Sequence, residues 1–288
     1  MKCIHHTDHD GHCAGFWVKK RYPQMTKEDF IEMDYGSTLD WFSKIKKDEP
    51  VIIVDFSFDK KEDMDKLLSK TKNVIWIDHH ISAIKKFEGM DIKGLRYNGI
   101  AGCMLTWAYF NKMEDGTIPF DPKMCTEAPW MTKYVHDRDV WLHEYGEETD
   151  HFNLGLDAIP NKQPYDPIWE EALNIDKVRK LIEEGSVIER YRDSLGLRAQ
   201  KSGFEYDFDG HKAFCINNCF SGSEYFGEMI DKYDIVCCFN YNGVDRIWEY
   251  SLYSNKENVD CSVICTERGG GGHKGAAGFT TNKLVFGV

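Results

Sequence analysis

The chain has 288 residues, of which 42% are hydrophobic and 14% aromatic, so it can build the core of one large domain or of two ordinary ones. This composition excludes an intrinsically disordered chain. The formal net charge of −12 excludes a protein that coats long DNA or RNA, because an acidic surface repels polyphosphates at long range.

Strand and helix patterns alternate over residues 1–110. Short apolar runs predict strands at 2–6, 30–34, 51–57 and 73–78, and helical spacing predicts helices at 12–21, 38–47 and 60–70. Such alternation is typical of a parallel sheet with helices on both faces. Three of the four strands end in Asp or His, at the edge where ligands bind in open α/β sheets.

The remainder of the chain divides into a helical part and a second strand-rich part. Residues 100–200 are mostly helical, with proline-containing loops near 119–122 and 160–167, and end in a long helix at 175–200. Further strands are predicted at 204–217, 234–242, 246–254 and 277–281, with a helix at 260–267. We therefore expect an α/β protein with a Rossmann-like parallel-sheet domain at 1–174, a helical connector at 175–202, and a smaller α/β domain at 203–288.

The cellular setting is predicted from the N-terminus and the cysteines. No apolar run approaches the ~18 residues of a membrane span, and the N-terminus becomes polar at once, unlike a signal peptide. We expect a cytoplasmic protein whose ten cysteines are reduced and which does not enter a membrane. The pairs Cys215/Cys219 and Cys261/Cys265 lack the CxxC spacing of zinc knuckles, which favours packing over zinc binding.

Four places at predicted strand or helix ends concentrate metal-binding side chains. They are HHTDHDG (5–11), Asp55, IDHH (77–80) and HDRD (136–139). A lone aspartate at a strand end is usually a cap or turn residue. When four such places lie on one sheet, their unpaired carboxylates would repel one another and raise one another's pKa values. A pair of divalent cations would remove this repulsion. Mixed carboxylate and imidazole ligands favour Mn²⁺, with Mg²⁺, Co²⁺ or Fe²⁺ as alternatives.

A glycine run near the C-terminus is the other unusual feature. In GGGGHKGAAGF (269–279), glycines lose much backbone entropy on folding, so four in a row indicate a need for bare backbone. We expect Gly270, Gly271, Gly272 and His273 to bind substrate through an anion nest, with a helix beginning near His273. The alternative is a tight turn between the helix at 260–267 and the strand at 277–281.

These motifs, taken in order, resemble those of the DHH phosphoesterase superfamily. The matching residues are HTDHDG, the aspartate of VIIVD, DHH and a later aspartate, while GGGGHKGAAGF resembles the signature of the C-terminal DHHA1 domain. The relatives include RecJ exonucleases, nanoRNases with pAp phosphatase activity, and cyclic-dinucleotide phosphodiesterases. The resemblance runs from residue 5 to residue 279.

The resemblance implies two Mn²⁺ ions and a set of ligands. Its implied ligands are His6, Asp8 and Asp55 for one ion, and Asp10, Asp55, His79 and Asp137 for the other. Asp55 would bridge the ions, His80 would face the scissile phosphate, and Asp78 would orient the histidines.

Three points of the sequence depart from the family or leave a choice open. The usual position of the first histidine is Ile4 here, so His6 is preferred over His5, whose side chain leaves the strand on the other face. Asp137 is preferred over Asp139. Tyr253 stands where related nanoRNases carry an arginine, so Arg246 or Arg268 would have to supply that charge.

The expected activity is Mn²⁺-dependent hydrolysis of phosphodiester bonds in short oligonucleotides by a two-metal hydroxide mechanism, with Asp55 and His80 as catalytic residues. A cyclic dinucleotide, pAp or polyphosphate are alternative substrates, and a nucleotide-binding sensor is the non-enzymatic alternative. The partner would be a short oligonucleotide or small nucleotide, and the protein a monomer or homodimer.

Overall fold

The computed structural model describes residues 1–113, 116–219 and 222–286. The chain forms two compact units, Met1–Val187 and Ile188–Val288. The division falls inside the long helix predicted from the sequence, which runs from Ile175 to Gln200. Within the described ranges, no helix is both long and apolar enough to span a bilayer.

The first unit is built on a parallel five-stranded sheet. Its elements in chain order are β1 (Lys2–His6), α1 (His9–Arg21), β2 (Phe30–Met33), β3 (Val51–Val54), α2 (Lys61–Lys70), β4 (Val74–Asp78), α3 (Ile81–Lys86), β5 (Lys93–Arg96), α4 (Gly102–Asn111), α5 (Trp130–Asp139), α6 (Glu147–Asp157), α7 (Pro167–Glu171) and α8 (Ile175–Gln200). The strand order is β2-β1-β3-β4-β5, with every neighbouring pair parallel. All five strands therefore end at one edge of the sheet.

Helices cover both faces of this sheet, as predicted. Ile52 and Val54 of β3 pack into a core with α1, α4 and α5, whereas Val51 and Ile53 pack into a second core with α2 and α3. Because neighbouring strand residues point to opposite faces, a strand buried on both sides is apolar throughout. The alternation of strand and helix seen in the sequence follows from this architecture.

The helix predicted at 38–47 is wrong. The segment is an irregular loop, although Trp41 and Ile45 are buried as the helical spacing suggested. Its turns have backbone bonds from Lys44 N to Trp41 O and from Ile45 N to Phe42 O. The side chains of Asp40 and Ser43 hydrogen-bond to local backbone, and such bonds compete with helix formation. Strand β5 is an element that the sequence did not predict.

The second unit contains a mixed six-stranded sheet. Its elements after α8 are β6 (Phe204–Phe208), β7 (His211–Asn217), α9 (Met229–Lys232), β8 (Ile235–Asn242), β9 (Ile247–Tyr253), α10 (Cys261–Thr266), β10 (Gly271–His273) and β11 (Ala276–Thr281). The order is β10-β11-β9-β8-β7-β6, in which only β7 and β8 pair in parallel. The fold class is therefore α/β with a second, smaller α/β unit, as predicted.

Candidate metal centre

Asp55 lies at the edge where the parallel strands of the sheet end. It directly follows β3, continues the ladder through a bond from its backbone N to Ile77 O at 2.9 Å, and has a φ of +51°. Its side chain is fully buried, and neither carboxylate oxygen has a hydrogen-bond partner among the residues that the structure describes. Burying an unpaired charge is very costly, so this geometry requires either a proton or a cation at Asp55.

One group of ligand atoms joins Asp55 to the ends of β1 and α1. His6 is the last residue of β1, and Asp8 is the N-cap of α1, where its Oδ1 accepts from Gly11 N at 2.8 Å. The other oxygen of Asp8 lies 2.7 Å from His6 Nδ1. Ligand atoms of His6, Asp8 and Asp55 all lie within 4.8 Å of one another, as a common cation requires.

A second group centres on His79, just beyond β4. Its Nε2 lies 3.2 Å from Asp55 Oδ1, 3.4 Å from Asp139 Oδ2 and 3.7 Å from Asp10 Oδ2, yet it makes no hydrogen bond. Ligand atoms of Asp10, His79 and Asp139 lie within 4.8 Å of one another. Since His79 reaches both Asp55 and this group, the two sets of ligand atoms adjoin.

The N-terminus of α4 holds Asp10 in place. Gly102 N donates to one oxygen of Asp10 at 2.6 Å, and Cys103 N donates to the other at 2.8 Å. A helix N-terminus stabilises a carboxylate both through its free N–H groups and through its dipole. Gly102 is required here, because a Cβ at this position would lie 2.5 Å from Asp55 Cβ.

The structure does not bring Asp137 to the metal-ligand groups, which corrects the choice made from the sequence. Asp137 is buried and its oxygens accept from Glu144 N at 2.9 Å, Tyr145 N at 3.3 Å and Thr149 Oγ1. It fixes the loop after α5. Asp139, two positions later, lies beside His79 instead. The sequence alone did not separate them, because both belong to the same short helix.

His80 lies beside His79 and is held by Asp78. Oδ1 of the fully buried Asp78 accepts from His80 Nδ1 at 2.8 Å, from His79 N at 2.8 Å and from His80 N at 3.2 Å. Ligand atoms of His80 also lie within 4.8 Å of those of Asp55 and His79. Asp78 thus orients both histidines, which is the role that the resemblance implied for it.

The electrostatics of the metal-free centre reflect crowded carboxylates. Burial, reinforced by the nearby charges of Asp10 and Asp8, raises the pKa of Asp55 well above its usual range and the pKa of Asp139 to about 9. Burial lowers the pKa of His79, which favours the neutral imidazole that binds metals. For His80, burial lowers the pKa, but the hydrogen bond and charge of Asp78 outweigh it and raise the pKa overall.

The structure separates His5 from His6 and adds one residue. His5 is fully buried on the other side of β1, where its ring packs against His12 and Phe30. Asp34, which follows β2, lies with Oδ1 3.4 Å from His6 Nε2. The sequence analysis missed Asp34 as a site residue, although it directly follows β2 as Asp55 directly follows β3.

The glycine run forms a helix end and a strand, so the helix predicted near His273 is wrong. Gly271–His273 is β10, which pairs with β11 in a hairpin. Gly269 has a φ of +80° after α10, and a Cβ on Gly270 would lie 2.1 Å from Gly278 O. The N–H groups of Gly269 and Gly270 donate to carbonyls of α10, which argues against an anion nest at these two residues. Gly271 and His273 are exposed, and a Cβ on Gly271 would meet nothing within 4 Å.

Two other side-chain sets were considered from the sequence. Arg268 forms a two-point ion pair with Asp209, at 2.8 and 3.0 Å, so its charge is already balanced. Of the four cysteines in the two spaced pairs, Cys219 is exposed and the others are buried. Among the described residues, the groups able to hold a metal contain no cysteine.

Comparison with known proteins adds one relative by sequence. No protein-family model matches the chain. The uncharacterized protein R106 of Acanthamoeba polyphaga mimivirus is 25% identical over 256 residues, which are 84% of this chain and 55% of that protein. The chain thus spans about half the length of the curated relative it matches.

Solved structures give a likeness over nearly the whole chain. PggH, a pGpG-specific phosphodiesterase from Vibrio cholerae, covers 97% of this chain and 92% of its own, with a TM-score of 0.57 and 13% identity. An exopolyphosphatase-related protein from Bacteroides fragilis covers 99% and 88%, with a TM-score of 0.50 and 14% identity. This chain therefore shares its fold with these two proteins, which is the architecture that the resemblance to the DHH phosphoesterase superfamily implied.

Proposed function

We propose that the protein is a divalent-metal-dependent phosphoesterase that hydrolyses phosphodiester bonds in short oligonucleotides or small nucleotides. The observation that carries this proposal is Asp55, a fully buried carboxylate without a hydrogen-bond partner that adjoins two groups of ligand atoms. Such a residue suits a bridge between two cations, whose charges would offset its burial.

The structure supports a specific division of ligands. His6, Asp8 and Asp55 would hold one ion, and Asp10, Asp55, His79 and Asp139 the other, with Asp139 in place of Asp137. Mixed carboxylate oxygens and imidazole nitrogens fit Mn²⁺, with Mg²⁺ or Co²⁺ as alternatives. Bound ions would offset the charge on the phosphate, and they would lower the pKa of a bound water molecule to near neutrality.

The side chains around the ions define the remaining chemistry. Because Nδ1 of His80 is engaged by Asp78, its Nε2 is the nitrogen left to carry a proton toward the leaving oxygen. The hydrogen bond and charge of Asp78 raise the pKa of His80 despite its burial, which is the direction that a general acid requires. Asp10, fixed by two backbone N–H groups, keeps its position without help from substrate. Asp55 and His80 are therefore the residues we assign to catalysis.

A small substrate is supported by charge and by comparison. A net charge of −12 does not favour a long nucleic-acid track. PggH is described as specific for pGpG, a linear dinucleotide, and the Bacteroides protein as exopolyphosphatase-related. We assign residues 1–174 to metal binding, 175–202 to a connector, and 203–288 to substrate binding by a DHHA1-like domain in which Gly271, Gly272 and His273 contact substrate. We further infer a cytoplasmic monomer or homodimer.

A hydrolysis screen with Mn²⁺ tests the proposal. Linear dinucleotides, 5-mers, 20-mers, pAp, cyclic dinucleotides and polyphosphate are compared for wild type and for Asp55→Asn. We expect the fastest turnover on 2-mers to 5-mers and its loss in Asp55→Asn. Preference for 20-mers would overturn the short-substrate assignment, and full activity of Asp55→Asn would overturn the two-metal assignment. Binding without hydrolysis of any compound would indicate a nucleotide sensor.

A further inference from the structure

A cavity of about 480 Å³ lies beside the candidate metal centre, entirely within the first unit. Three of its lining residues, Asp8, Asp10 and Asp139, also belong to the metal-ligand groups. Its volume is in the range of about 300–1,000 Å³ that is typical of small-molecule sites. A ligand whose phosphate reaches the metals would therefore place its adjoining part in this cavity.

Trp141, which lines the cavity, has an unusual conformation. It follows the last turn of α5, where Trp141 N donates to Arg138 O and Leu142 N donates to Asp137 O. This pattern is the helix end in which glycine is the usual residue, because the backbone is left-handed there. Trp141 adopts φ +58°, which is strained for a bulky side chain.

Packing does not offset this strain, because the Trp141 side chain is 68% exposed. An aromatic residue held in a strained conformation with its surface left open points to a ligand that covers it. The side chains that contact the Trp141 indole, Arg138 and His143, are polar. Arg138 Cζ lies 4.2 Å from the ring centroid, and the His143 ring meets the indole edge-on at 4.7 Å.

The two side chains that contact the indole, Arg138 and His143, share one carboxylate partner. Asp150 of α6 has Oδ1 3.2 Å from Arg138 Nε and Oδ2 3.4 Å from His143 Nδ1. The two residues that flank Trp141 are thus tied to one carboxylate. A tryptophan side chain has only two rotatable bonds, so it loses little entropy when a ligand stacks on it.

The cavity lining carries both signs of charge: Arg138 and Lys162 are cationic, and the acidic residues are Asp157 and three members of the metal-ligand groups, Asp8, Asp10 and Asp139. Besides Arg138, the cavity is lined by Lys162, whose Nζ donates to the carbonyls of Leu156 and Ile159, both at the long distance of 3.4 Å. Aromatic stacking next to cations is the recognition chemistry of a nucleotide. Inorganic polyphosphate has no group that would use the indole face.

We propose that this cavity is a nucleoside subsite in which Trp141 stacks on the base of the nucleotide whose phosphate lies at the metal centre. The inference deepens the proposed function and rests on it for the position of the phosphate. It identifies the substrate as a nucleotide rather than a polyphosphate, and Trp141 as a residue that determines specificity.

Calorimetric titration of the Mn²⁺-loaded protein with AMP and with ribose 5-phosphate tests the inference without turnover. The two probes share the sugar and the phosphate and differ in the base. We expect wild type to bind AMP at least about tenfold more tightly than ribose 5-phosphate, as one stacked base contributes. Trp141→Gly should lose that difference, and Trp141→Tyr should retain most of it.

The variants separate binding from folding. Glycine suits the φ of +58°, so Trp141→Gly should keep or raise the melting temperature while AMP binding falls. Trp130→Ala removes an indole that is 42% exposed on α5, the helix before Trp141, and that is not among the residues lining this cavity, so it should leave the AMP preference unchanged.

Two outcomes would overturn the inference: equal affinity of wild type for the two probes, or AMP binding by Trp141→Gly within twofold of wild type. Failure of the proposed function is a separate result, because it would be seen as absence of hydrolysis in the substrate screen whatever the AMP titration shows.

Discussion

His79 Nε2 lies 3.4 Å from Asp139 Oδ2, which links the end of β4 to the end of α5 across the candidate metal centre. Asp137 points away from this centre and accepts three hydrogen bonds from the loop and helix that follow α5. Two aspartates on one short helix thus have separate tasks. Each can be tested with the same substitution.

Asp139→Asn should lower metal affinity, whereas Asp137→Asn should lower stability. Asp139→Asn removes a proposed ligand, so we expect Mn²⁺ affinity to fall at least about tenfold while the metal-free protein stays folded. Asp137→Asn places an amide among three donors, so we expect a loss of about 1–3 kcal/mol in unfolding free energy. Calorimetry with Mn²⁺ and denaturant unfolding measure the two effects. The reverse pattern would restore Asp137 as the ligand.

The metal-free protein should lose stability as the pH rises. Burial raises the pKa of Asp55 well above 3.8 and that of Asp139 from 3.8 to about 9. The folded state therefore holds protons that the unfolded state has released, so unfolding free energy falls as pH rises toward the folded pKa. Between about pH 7 and about pH 9, above the ordinary histidine range, we expect the melting temperature in EDTA to decrease.

Asp55→Asn provides the comparison for this pH dependence. It removes the buried acid, so the metal-free variant should melt at a higher temperature than wild type near pH 8 and show a smaller decrease with pH. Mn²⁺ should stabilise wild type and have little effect on the variant. A wild-type melting temperature that stays constant in EDTA over this range would contradict the raised pKa values.

The alternation of strand and helix patterns predicted the parallel sheet. The aspartates and histidines at the ends of these strands indicated the edge where ligands would bind. His6, Asp8, Asp10, Asp55 and His79 lie at or near the ends of such strands, and the resemblance to the DHH superfamily implied each of them as a ligand. The partners that arrive from later helices were harder to predict. Spacing along α5 does not show which aspartate faces the sheet, because that depends on how the helix packs.

Tertiary packing also explains the two wrong elements. Trp41 and Ile45 are buried at a helical spacing, but they belong to a loop that packs beside Phe58 and α2. The glycines of 269–272 suggested a phosphate-binding turn before a helix, whereas close approach of β11 explains Gly270 and Gly272 sterically. A glycine that is needed because a neighbouring backbone lies close cannot be told apart, from the sequence alone, from a glycine that is needed for contact with a ligand.

His80 should act on the rate rather than on metal binding. We expect His80→Ala to lower kcat by about 100-fold or more, which is the usual contribution of a general acid. The number of Mn²⁺ ions bound per chain should stay the same as in wild type. A lower metal stoichiometry in calorimetry would instead make His80 a ligand, because its ring lies within ligand distance of Asp55 and His79.

The hairpin of β10 and β11 offers the last test, of substrate binding by the second unit. His273 is exposed on β10, so His273→Ala should leave the melting temperature and the Mn²⁺ affinity unchanged. It should raise KM for a dinucleotide by about tenfold, which corresponds to the loss of one hydrogen bond to a charged phosphate. Loss of Mn²⁺ binding in this variant would place His273 at the metal centre instead.

Two glycines of the same run serve as matched controls for this assignment. A Cβ on Gly271 would meet no atom within 4 Å, whereas a Cβ on Gly270 would lie 2.1 Å from Gly278 O. Gly270→Ala should therefore lower the melting temperature, and Gly271→Ala should not. If the open backbone at Gly271 contacts substrate, Gly271→Ala raises KM at unchanged stability. Unchanged KM in both Gly271→Ala and His273→Ala would mean that the run serves only the packing of the hairpin.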